Sequence, residues 1–465
     1  MSNRQILSLE LKPIQAWLPI LTLVLFTVLC LLVHLSKILL LVFPVGSFAV
    51  AVFLYSRYPL FYISFTWWVW FLSPLLSRIV EYQNNISSPG LRLIILSPYM
   101  LTMLTSISFF RYLPKVYRQD GLPFVLAFIG VFYAFFIGLA NGYPVAGVIQ
   151  SLLSWVSGIF FGFHLLVNWR DYPSYRQNIQ RTFCWGVLVM GVYGVVQYLV
   201  APEWDRFWLR NSEELLFCCG WPEPLMIRVW STLNYPFGFA YVMMAGLLLL
   251  FSNKGALRVP AAVAGYLAFL LSLVRAAWGG WFIGFVIFFT PLKGRFQARL
   301  LMTILIIGVC IYPLTAIPPF SEVIGSRFES LSSVKEDRSF TERSDVYAQN
   351  LDKALSEGFG KGLGGDKLND AGILEVLFTL GWFGIIPYMG GVFLLFFSFF
   401  QYNNEVRFDS FMNAARAISI SLLVTLPATN TLVLLPGVTF WGFAGMFMAG
   451  HKYYQNQRTI NIRRD

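Results

Sequence analysis

Apolar runs close to twenty residues long recur along almost the whole chain, and this recurrence constrains the fold more than any other feature. Leu18–Val33 and Phe124–Leu139 are two examples. A helix needs about 20 predominantly apolar residues to cross the hydrocarbon core of a bilayer. With 57% hydrophobic and 12% charged residues, the chain is expected in a membrane rather than in water. We therefore predict an all-α polytopic helix bundle, a single integral membrane domain over residues 1–465.

Hydropathy divides the chain into roughly fourteen membrane segments, and we take roughly 12–14 helices as the expected range. The segments are 16–34, 38–55, 59–77, 93–110, 123–141, 146–167, 182–200, 236–252, 259–274, 277–290, 300–316, 382–400, 411–433 and 436–450. No small-residue cleavage site follows the first segment, so we expect an uncleaved anchor.

Lysine and arginine are distributed unevenly between the two sets of loops, which indicates the orientation. The basic loops and tail hold Arg57, Arg111, Lys115, Arg118, Arg170, Arg176, Arg181, Lys254, Arg258, Lys293, Arg295, Arg299, Arg407, Lys452, Arg458, Arg463 and Arg464. The short connections on the other side hold Lys37, Arg78 and Arg92. We predict a multi-pass plasma (inner) membrane protein with both termini cytoplasmic. The net charge of +11 is then explained by anionic membrane lipid, and nucleic acid is rejected as a partner.

The five cysteines are too few and too scattered for a disulfide framework. Cys30, Cys184 and Cys310 fall in apolar runs, where burial is expected. Cys218 and Cys219 lie in a loop. A bond between adjacent residues is strained, so two thiols are favoured over a disulfide there.

Two segments on the predicted outer side, about 201–235 and 317–381, are too long to be simple connections. Long loops carry function in helical scaffolds, so these are the candidate functional regions. The second is a large extracytoplasmic loop that holds Arg327, Arg338, Glu342, Arg343, Asp345, Asp352, Glu357, Asp366 and Asp370.

Arginines in three motifs are candidates for anion binding. Arg275 lies between two apolar runs on the outer side, among small residues. It is either an interface anchor or the partner of a carboxylate or phosphate. Arg228 precedes Asn234, and helix capping explains Asn234 but not the arginine. Arg343 and Tyr347 are spaced to share one helix face, which fits an ordinary surface helix equally well.

A glycine-rich run contains G-x-G-x-x-G from Gly360 to Gly365, without the strand–turn–helix context of a dinucleotide site. We interpret it as tightly turned backbone close to a substrate, with Gly362 as a binding residue. Asp370 then opens an apolar helix that also carries Glu375. The Asp370 carboxylate either stabilises the helix N-terminus or acts chemically at the membrane face.

Other site chemistries find no support in the sequence. The histidines His34, His164 and His451 lie far apart, which does not fit a zinc site or a Ser-His-Asp arrangement. A phosphate-binding loop for ATP is also missing from the sequence. We expect neither a metal nor a cofactor.

In this order, the motifs resemble the O-antigen ligase and O-antigen polymerase superfamily of bacterial envelope glycosyltransferases. The resemblance covers about residues 225–390, and the first half of the chain matches only as a stack of membrane helices. The matching motifs are Arg228 to Pro236, Val274 to Trp278, Arg343 to Tyr347, Gly360 to Gly365, and Asp370 to Gly384.

Members of this superfamily transfer a sugar from a polyprenyl diphosphate to an acceptor glycan outside the cytoplasm, without nucleotide or metal. The resemblance implies that arginines hold the diphosphate. The implied catalytic residues are Asp370, Arg275 and Arg343, and the implied substrate-binding residues are Arg228, Asn234, Trp278, Tyr347 and Gly362. Ligases typically have histidine where this chain has Asp370, and often serine where it has Val274. These departures weaken the ligase interpretation and favour a polymerase or an uncharacterised branch of the superfamily.

A transporter of a small anion such as bicarbonate, or of a lipid-linked sugar, is the alternative from another class. It would use the same arginines for binding without covalent chemistry. A transporter is expected to show inverted repeats and broken helices at matching positions in its two halves. The sequence shows no internal repeat, and its large charged loop lies in the second half, which favours the enzyme.

Overall fold

The computed structural model describes residues 14–86, 93–116, 120–211, 213–298, 338–365, 371–401 and 409–462, with short stretches between 300 and 309. The regular elements in these residues are helices, and an isolated bridge pairs Gly220 with Ile227. This confirms the predicted all-α fold.

The helices follow one another along the chain. They are α1 (Ile14–Leu32), α2 (Leu39–Arg57), α3 (Pro59–Gln83), α4 (Leu93–Met103), α5 (Ser106–Val116), α6 (Leu122–Ala140), α7 (Val145–Val167), α8 (Tyr172–Val200), α9 (Glu203–Arg210), α10 (Glu213–Cys219), α11 (Pro236–Leu250), α12 (Arg258–Leu271), α13 (Arg275–Phe289), α14 (Arg338–Ser356), α15 (Gly372–Gln401), α16 (Ser410–Val424) and α17 (Leu434–Ile462). Short 3-10 helices, Ser36–Ile38 and Trp169–Asp171, precede α2 and α8.

Within the described residues, eight helices are long and apolar enough to cross a membrane, and α11, α12, α13 and α16 are shorter apolar helices. Large apolar side chains cover the outside of the bundle: Leu18 is 69% exposed, Phe282 61% and Ile386 67%. Such a surface is stable against lipid and unfavourable in water. The fold therefore defines a polytopic helical membrane protein.

Small residues let the central helices approach closely. Gly162 of α7 faces the Trp441 backbone of α17, and a Cβ at this glycine would collide with it. Gly130 of α6 lies against the Gly384 carbonyl of α15 in the same way. Close backbone approach is the main source of helix association in lipid, because burial from lipid gives little hydrophobic gain.

Several helix boundaries differ from the predicted segments. The predicted segment 411–433 is wrong in its second half, because α16 ends at Val424 and α17 begins at Leu434. The nine residues between them, 425–433, are called the α16–α17 connection below. Helix α15 begins at Gly372, before the predicted membrane segment 382–400 and close to where a helix was expected to open. It bends at Gly381, whose φ of 59° and ψ of −178° suit glycine. Most of the predicted segment 300–316 lies outside the described residues.

An acidic clamp ties three helices together where α8 and α16 begin. Asp409 caps α16 by accepting from the Phe411 amide, and its other oxygen accepts from Arg176 at 2.9 Å. The hydroxyls of Tyr172 and Tyr454 donate to the same oxygen over 2.7 and 2.9 Å. Burial, with the nearby carboxylate, raises the pKa of Tyr454 to about 12. This clamp fixes the end of the bundle opposite to the site described next.

Candidate functional site

The described parts of the predicted motifs lie at the end of the bundle where α12 and α16 end and α13 and α17 begin, which we call the site end. Arg228 lies there, between α10 and α11. Its amide N–H donates to Cys219 O over 2.9 Å, and its Nη1 donates to Cys218 O over 2.8 Å. A disulfide joins the two cysteines, in place of the predicted pair of thiols. The Arg228 side chain is half-buried, so part of it stays accessible to a ligand.

Arg275 is the first residue of α13 and follows the tight turn from α12. Leu273 in this turn has a left-handed φ of 57°, and its carbonyl accepts from Arg228 Nη2 over 3.5 Å. The Val229 amide donates to Leu271 O over 3.0 Å. The fold therefore places the Arg228 segment directly against the turn that leads into Arg275.

Two predicted substrate-binding residues lie on the flanking elements. Trp278 is one turn into α13, and its Nε1–H donates to Phe269 O over 3.3 Å. Asn234 precedes the first residue of α11 by two positions and is half-buried. Within the described residues, Asn234 Oδ1 and Thr232 Oγ1 are buried and have no hydrogen-bond partner. Buried polar atoms of this kind call for a water or a ligand.

An ion pair that the sequence analysis missed lies beneath this segment. Arg78 Nε of α3 is 3.1 Å from Asp205 Oδ1 of α9, and both side chains are fully buried. Arg78 also donates from Nη2 to Ser231 O over 2.6 Å, and from Nη1 to Leu233 O. The expectation that Arg78 belongs to an outer connection is therefore wrong. It lies in the interior because its guanidinium satisfies a carboxylate and two backbone carbonyls.

Gln197 of α8 extends this buried network. Its Nε2 donates to Asp205 Oδ2 over 2.9 Å, and its Oε1 accepts from the amides of Trp230 and Ser231 at 3.0 and 2.8 Å. The Tyr193 hydroxyl donates to the same Asp205 oxygen over 2.8 Å. These bonds hold Ser231 at a left-handed φ of 53°, a conformation that is costly for a non-glycine residue. The network thus fixes the backbone between Arg228 and Asn234.

The α16–α17 connection joins this region to the rest of the site end, and the sequence analysis missed it as well. A Cβ on Gly280 of α13 would lie 2.6 Å from Thr425 Cγ2. The Tyr347 hydroxyl of α14 donates to Pro427 O over 3.0 Å. The available signal was the run of threonine, proline and asparagine inside an apolar stretch, since polar residues at membrane depth usually have a role.

The same connection contacts the start of α15. Gly372 packs so tightly against the carbonyls of Leu426 and Thr429 that no larger residue would fit. Asp370, two residues earlier, lies outside the described residues. Arg343 lies on α14 within one helical turn of Tyr347, but its side chain is outside the described part of the chain. Helix periodicity puts positions 343 and 347 on one face of α14.

The glycine-rich run packs against α6 and α15. Gly362 has a left-handed φ of 77°, and its amide donates to Thr379 O over 3.1 Å. A Cβ there would collide with the Gly138 backbone. The adjacent Leu363 amide donates to Ala134 O over 2.9 Å. The sequence analysis expected the backbone at Gly362 to lie close to a substrate. In the structure it lies close to the backbone of α6 instead.

A small polar cavity of about 20 Å³ lies beside this run. Gly362, Gly365 and Glu375 line it, together with Ser151 of α7 and Val433 from the α16–α17 connection. A cavity of this size holds about one water molecule. It lies between the glycine-rich run and the end of the α16–α17 connection.

Of the predicted site residues, the structure thus joins Arg228, Arg275 and Trp278 around one turn, and Tyr347 to the α16–α17 connection beside it. No group of three or more His, Cys, Asp or Glu side chains able to hold a metal forms among the described residues. No protein-family model matches the chain, and no curated protein matches it.

Proposed function

We propose that the protein is a membrane glycosyltransferase that polymerises or ligates polyprenyl-diphosphate-linked glycans on the outer face of the plasma membrane. A polymerase is favoured over a ligase. The observation that supports it is the position of Arg228 and Arg275 on either side of the α12–α13 turn. Two guanidinium groups at the end of a membrane bundle suit an anionic lipid headgroup such as a diphosphate.

The proposed reaction is an inverting displacement at the anomeric carbon of the donor sugar. An acceptor hydroxyl oxygen forms the new glycosidic bond while the bond from the sugar to the diphosphate breaks. The diphosphate leaves with the electron pair, and Arg228, Arg275 and Arg343 stabilise its charge. Asp370 takes the proton of the acceptor hydroxyl as general base. The scheme needs neither metal nor cofactor.

The substrate-binding role then falls to the remaining predicted residues. Trp278 and Tyr347 offer aromatic faces of the kind that pack against sugar rings, and Asn234 offers a buried amide oxygen without a partner in the described chain. Gly362 acts by allowing the glycine-rich run to pack tightly and so to shape the site end. The partners are the lipid-linked donor, the acceptor glycan and membrane lipid.

The proposed orientation places the site end outside the cytoplasm and both termini in it. It rests on the lysine- and arginine-rich loops, which lie at the opposite end of the helices from the α12–α13 turn. A diphosphate-linked glycan carried to the outer leaflet would then reach Arg275 without crossing the bilayer.

A transporter remains the second candidate because several membrane segments in the described part of the chain are interrupted. Helix α15 bends at Gly381, and α16 and α17 are separated by nine non-helical residues. Broken helices at membrane depth are typical of transporter binding sites. A third break lies in the N-terminal half, where Leu104 and Thr105 interrupt the membrane span Leu93–Pro114 between α4 and α5. The enzyme is favoured because the sequence shows no internal repeat of the kind expected for inverted-repeat transporters.

Analysis of lipid-linked oligosaccharides in a deletion strain tests the proposal. Loss of a polymerase or ligase leaves unextended diphosphate-linked units to accumulate, which mass spectrometry detects. The purified protein in liposomes should then convert those units into longer glycans. Movement of the units across the liposome membrane without any new glycosidic bond would instead favour the transporter, and an unchanged lipid profile would count against the enzyme.

A further inference from the structure

The second half of the α16–α17 connection, residues 430–433, is buried although it has no helical structure. Asn430 is 8% exposed, Thr431 and Leu432 are fully buried, and Val433 is 7% exposed. A buried irregular segment at membrane depth must satisfy its polar groups within the protein or with a ligand or water in a cavity. Its hydrogen bonds therefore show which groups remain free for a ligand.

Most polar side chains of the connection are satisfied internally. The Thr425 and Thr431 hydroxyls both donate to Leu422 O, over 3.0 and 2.6 Å. Asn430 Oδ1 accepts from the Leu432 amide over 3.2 Å, which closes a local turn. Asn430 Nδ2 is the exception: it is buried and has no partner within the described residues. Two amide N–H donors are thus left open in the interior.

The residues next to Asn430 contact two other parts of the site end. Its neighbour Thr429 packs on Gly372 at the start of α15, and Pro427 accepts from Tyr347 of α14. The connection therefore lies between the α13–α14 side and the α15 side of the site end. A substrate that reaches Arg275 and the start of α15 would pass this segment.

The absence of charged residues around Asn430 indicates which part of a substrate its Nδ2 group would bind. The sequence has no Lys, Arg, Asp or Glu between Arg416 and Lys452. A neutral segment with an amide donor fits an uncharged oxygen, such as a hydroxyl or N-acetyl carbonyl of a sugar. The charged diphosphate would bind instead to Arg228 and Arg275 at the α12–α13 turn.

We propose that Asn430 forms a subsite for the uncharged sugar of the acceptor glycan, with Nδ2 donating to a sugar oxygen. This inference deepens the proposed function and rests on it. Asn430 is a substrate-binding residue in this scheme, and its Oδ1 bond to Leu432 fixes the direction of the amide group.

The test compares two substitutions that keep the local turn with one matched control. Asn430→Asp keeps an acceptor for the Leu432 amide and removes both donors. Asn430→Ser also provides an acceptor oxygen and adds no negative charge. Asn253→Asp is the control, because Asn253 Oδ1 accepts from the Gly255 amide over 2.9 Å in the same kind of turn at the opposite end of the bundle.

Binding is measured with the purified protein and the saccharide released by mild acid from the host's own cell-surface polysaccharide, which carries no diphosphate. We expect both Asn430 variants to bind roughly tenfold more weakly, the scale of one lost hydrogen bond. The Asn253→Asp variant should match wild type. Asn430→Ser should keep the wild-type melting temperature, so its weaker binding would not reflect a loss of fold, whereas Asn430→Asp buries a carboxylate and should lower the melting temperature. In turnover assays the loss should appear in KM for the acceptor and leave KM for the donor unchanged.

Failure of the subsite and failure of the proposed function give different results. Saccharide binding by wild type that the two Asn430 variants retain within twofold would overturn the subsite, as would no binding by wild type. Saccharide binding that depends on Asn430, in a protein that never forms a glycosidic bond, would keep the subsite and reject the glycosyltransferase.

Discussion

Arg78 of α3 and Asp205 of α9 form an ion pair of 3.1 Å whose two side chains are fully shielded from solvent. The pair does more than balance charge. Arg78 also binds the carbonyls of Ser231 and Leu233, and Asp205 accepts from Gln197. A single buried network therefore determines the course of the segment that carries Arg228.

Replacing Asp205 by asparagine should destabilise the protein by about 3–5 kcal/mol, because it leaves the Arg78 charge buried without a counter-charge. Thermal unfolding of the detergent-purified protein measures the effect. Glu203→Gln on the same helix is the control, since Glu203 pairs with Arg206 at 3.0 Å and is 55% exposed. That change should cost less than about 1 kcal/mol. Equal losses of stability in both variants would show that the buried ion pair stabilises the protein no more than the exposed one.

Gly362→Ala should displace the glycine-rich run and lower activity strongly. The new Cβ would meet the Gly138 backbone, and the left-handed φ of 77° adds roughly 1–2 kcal/mol of strain. Gly358→Ala is the matched control, because nothing lies within 4 Å of its Cβ position. Glycan production in cells, normalised to the amount of inserted protein, compares the two. Wild-type output from Gly362→Ala would mean that the run does not shape the site.

Arg275→Lys should retain part of the activity and Arg275→Ala almost none. Lysine keeps the charge but loses the two-pronged guanidinium that matches a diphosphate. Arg295→Ala, an exposed arginine in the basic loop after α13, serves as the control and should behave as wild type. The measurement is product amount and chain length. Unchanged product from inserted Arg275→Ala protein would reduce Arg275 to an interface anchor.

Asp370→Asn should lower turnover by roughly a hundred- to ten-thousand-fold while donor binding is mostly retained, as expected for loss of a general base. Asparagine caps a helix nearly as well as aspartate, so a purely structural role predicts little change. Glu375→Gln provides the comparison, because Glu375 lies five residues later in the sequence, in the first turn of α15 and in the wall of the small cavity. We expect it to cost far less than Asp370→Asn. Turnover of purified donor by Asp370→Asn within a few-fold of wild type would remove the base assignment.

Single cysteines at Ser88 and Ser332 should react with a membrane-impermeant thiol reagent added from outside, and one at Ser174 should not. The physical reason is the lysine and arginine asymmetry of the loops. Ser174 is exposed at the start of α8, so its protection would come from the membrane and not from burial. The opposite labelling pattern would invert the assigned orientation.

The sequence by itself determined the class of fold. A chain with 57% hydrophobic residues in repeated runs must satisfy its backbone in helices when lipid surrounds it, because lipid offers no hydrogen bonds. It also located Arg228, Arg275, Tyr347 and Gly362 on segments that the structure places at one end of the bundle. The glycosyltransferase reaction stays a proposal for the experiments above to decide.

Only the tertiary structure decided which side chains meet. Arg78 and Asp205 lie far apart in the sequence, and hydropathy assigns each of them to a solvent-exposed loop. Their pairing depends on how α3, α8 and α9 pack, which no local pattern encodes. Local sequence patterns also did not predict that α16 ends at Val424. Its apolar residues continue past the break, and the helix stops there because the connection packs against Gly280, Gly372 and Tyr347.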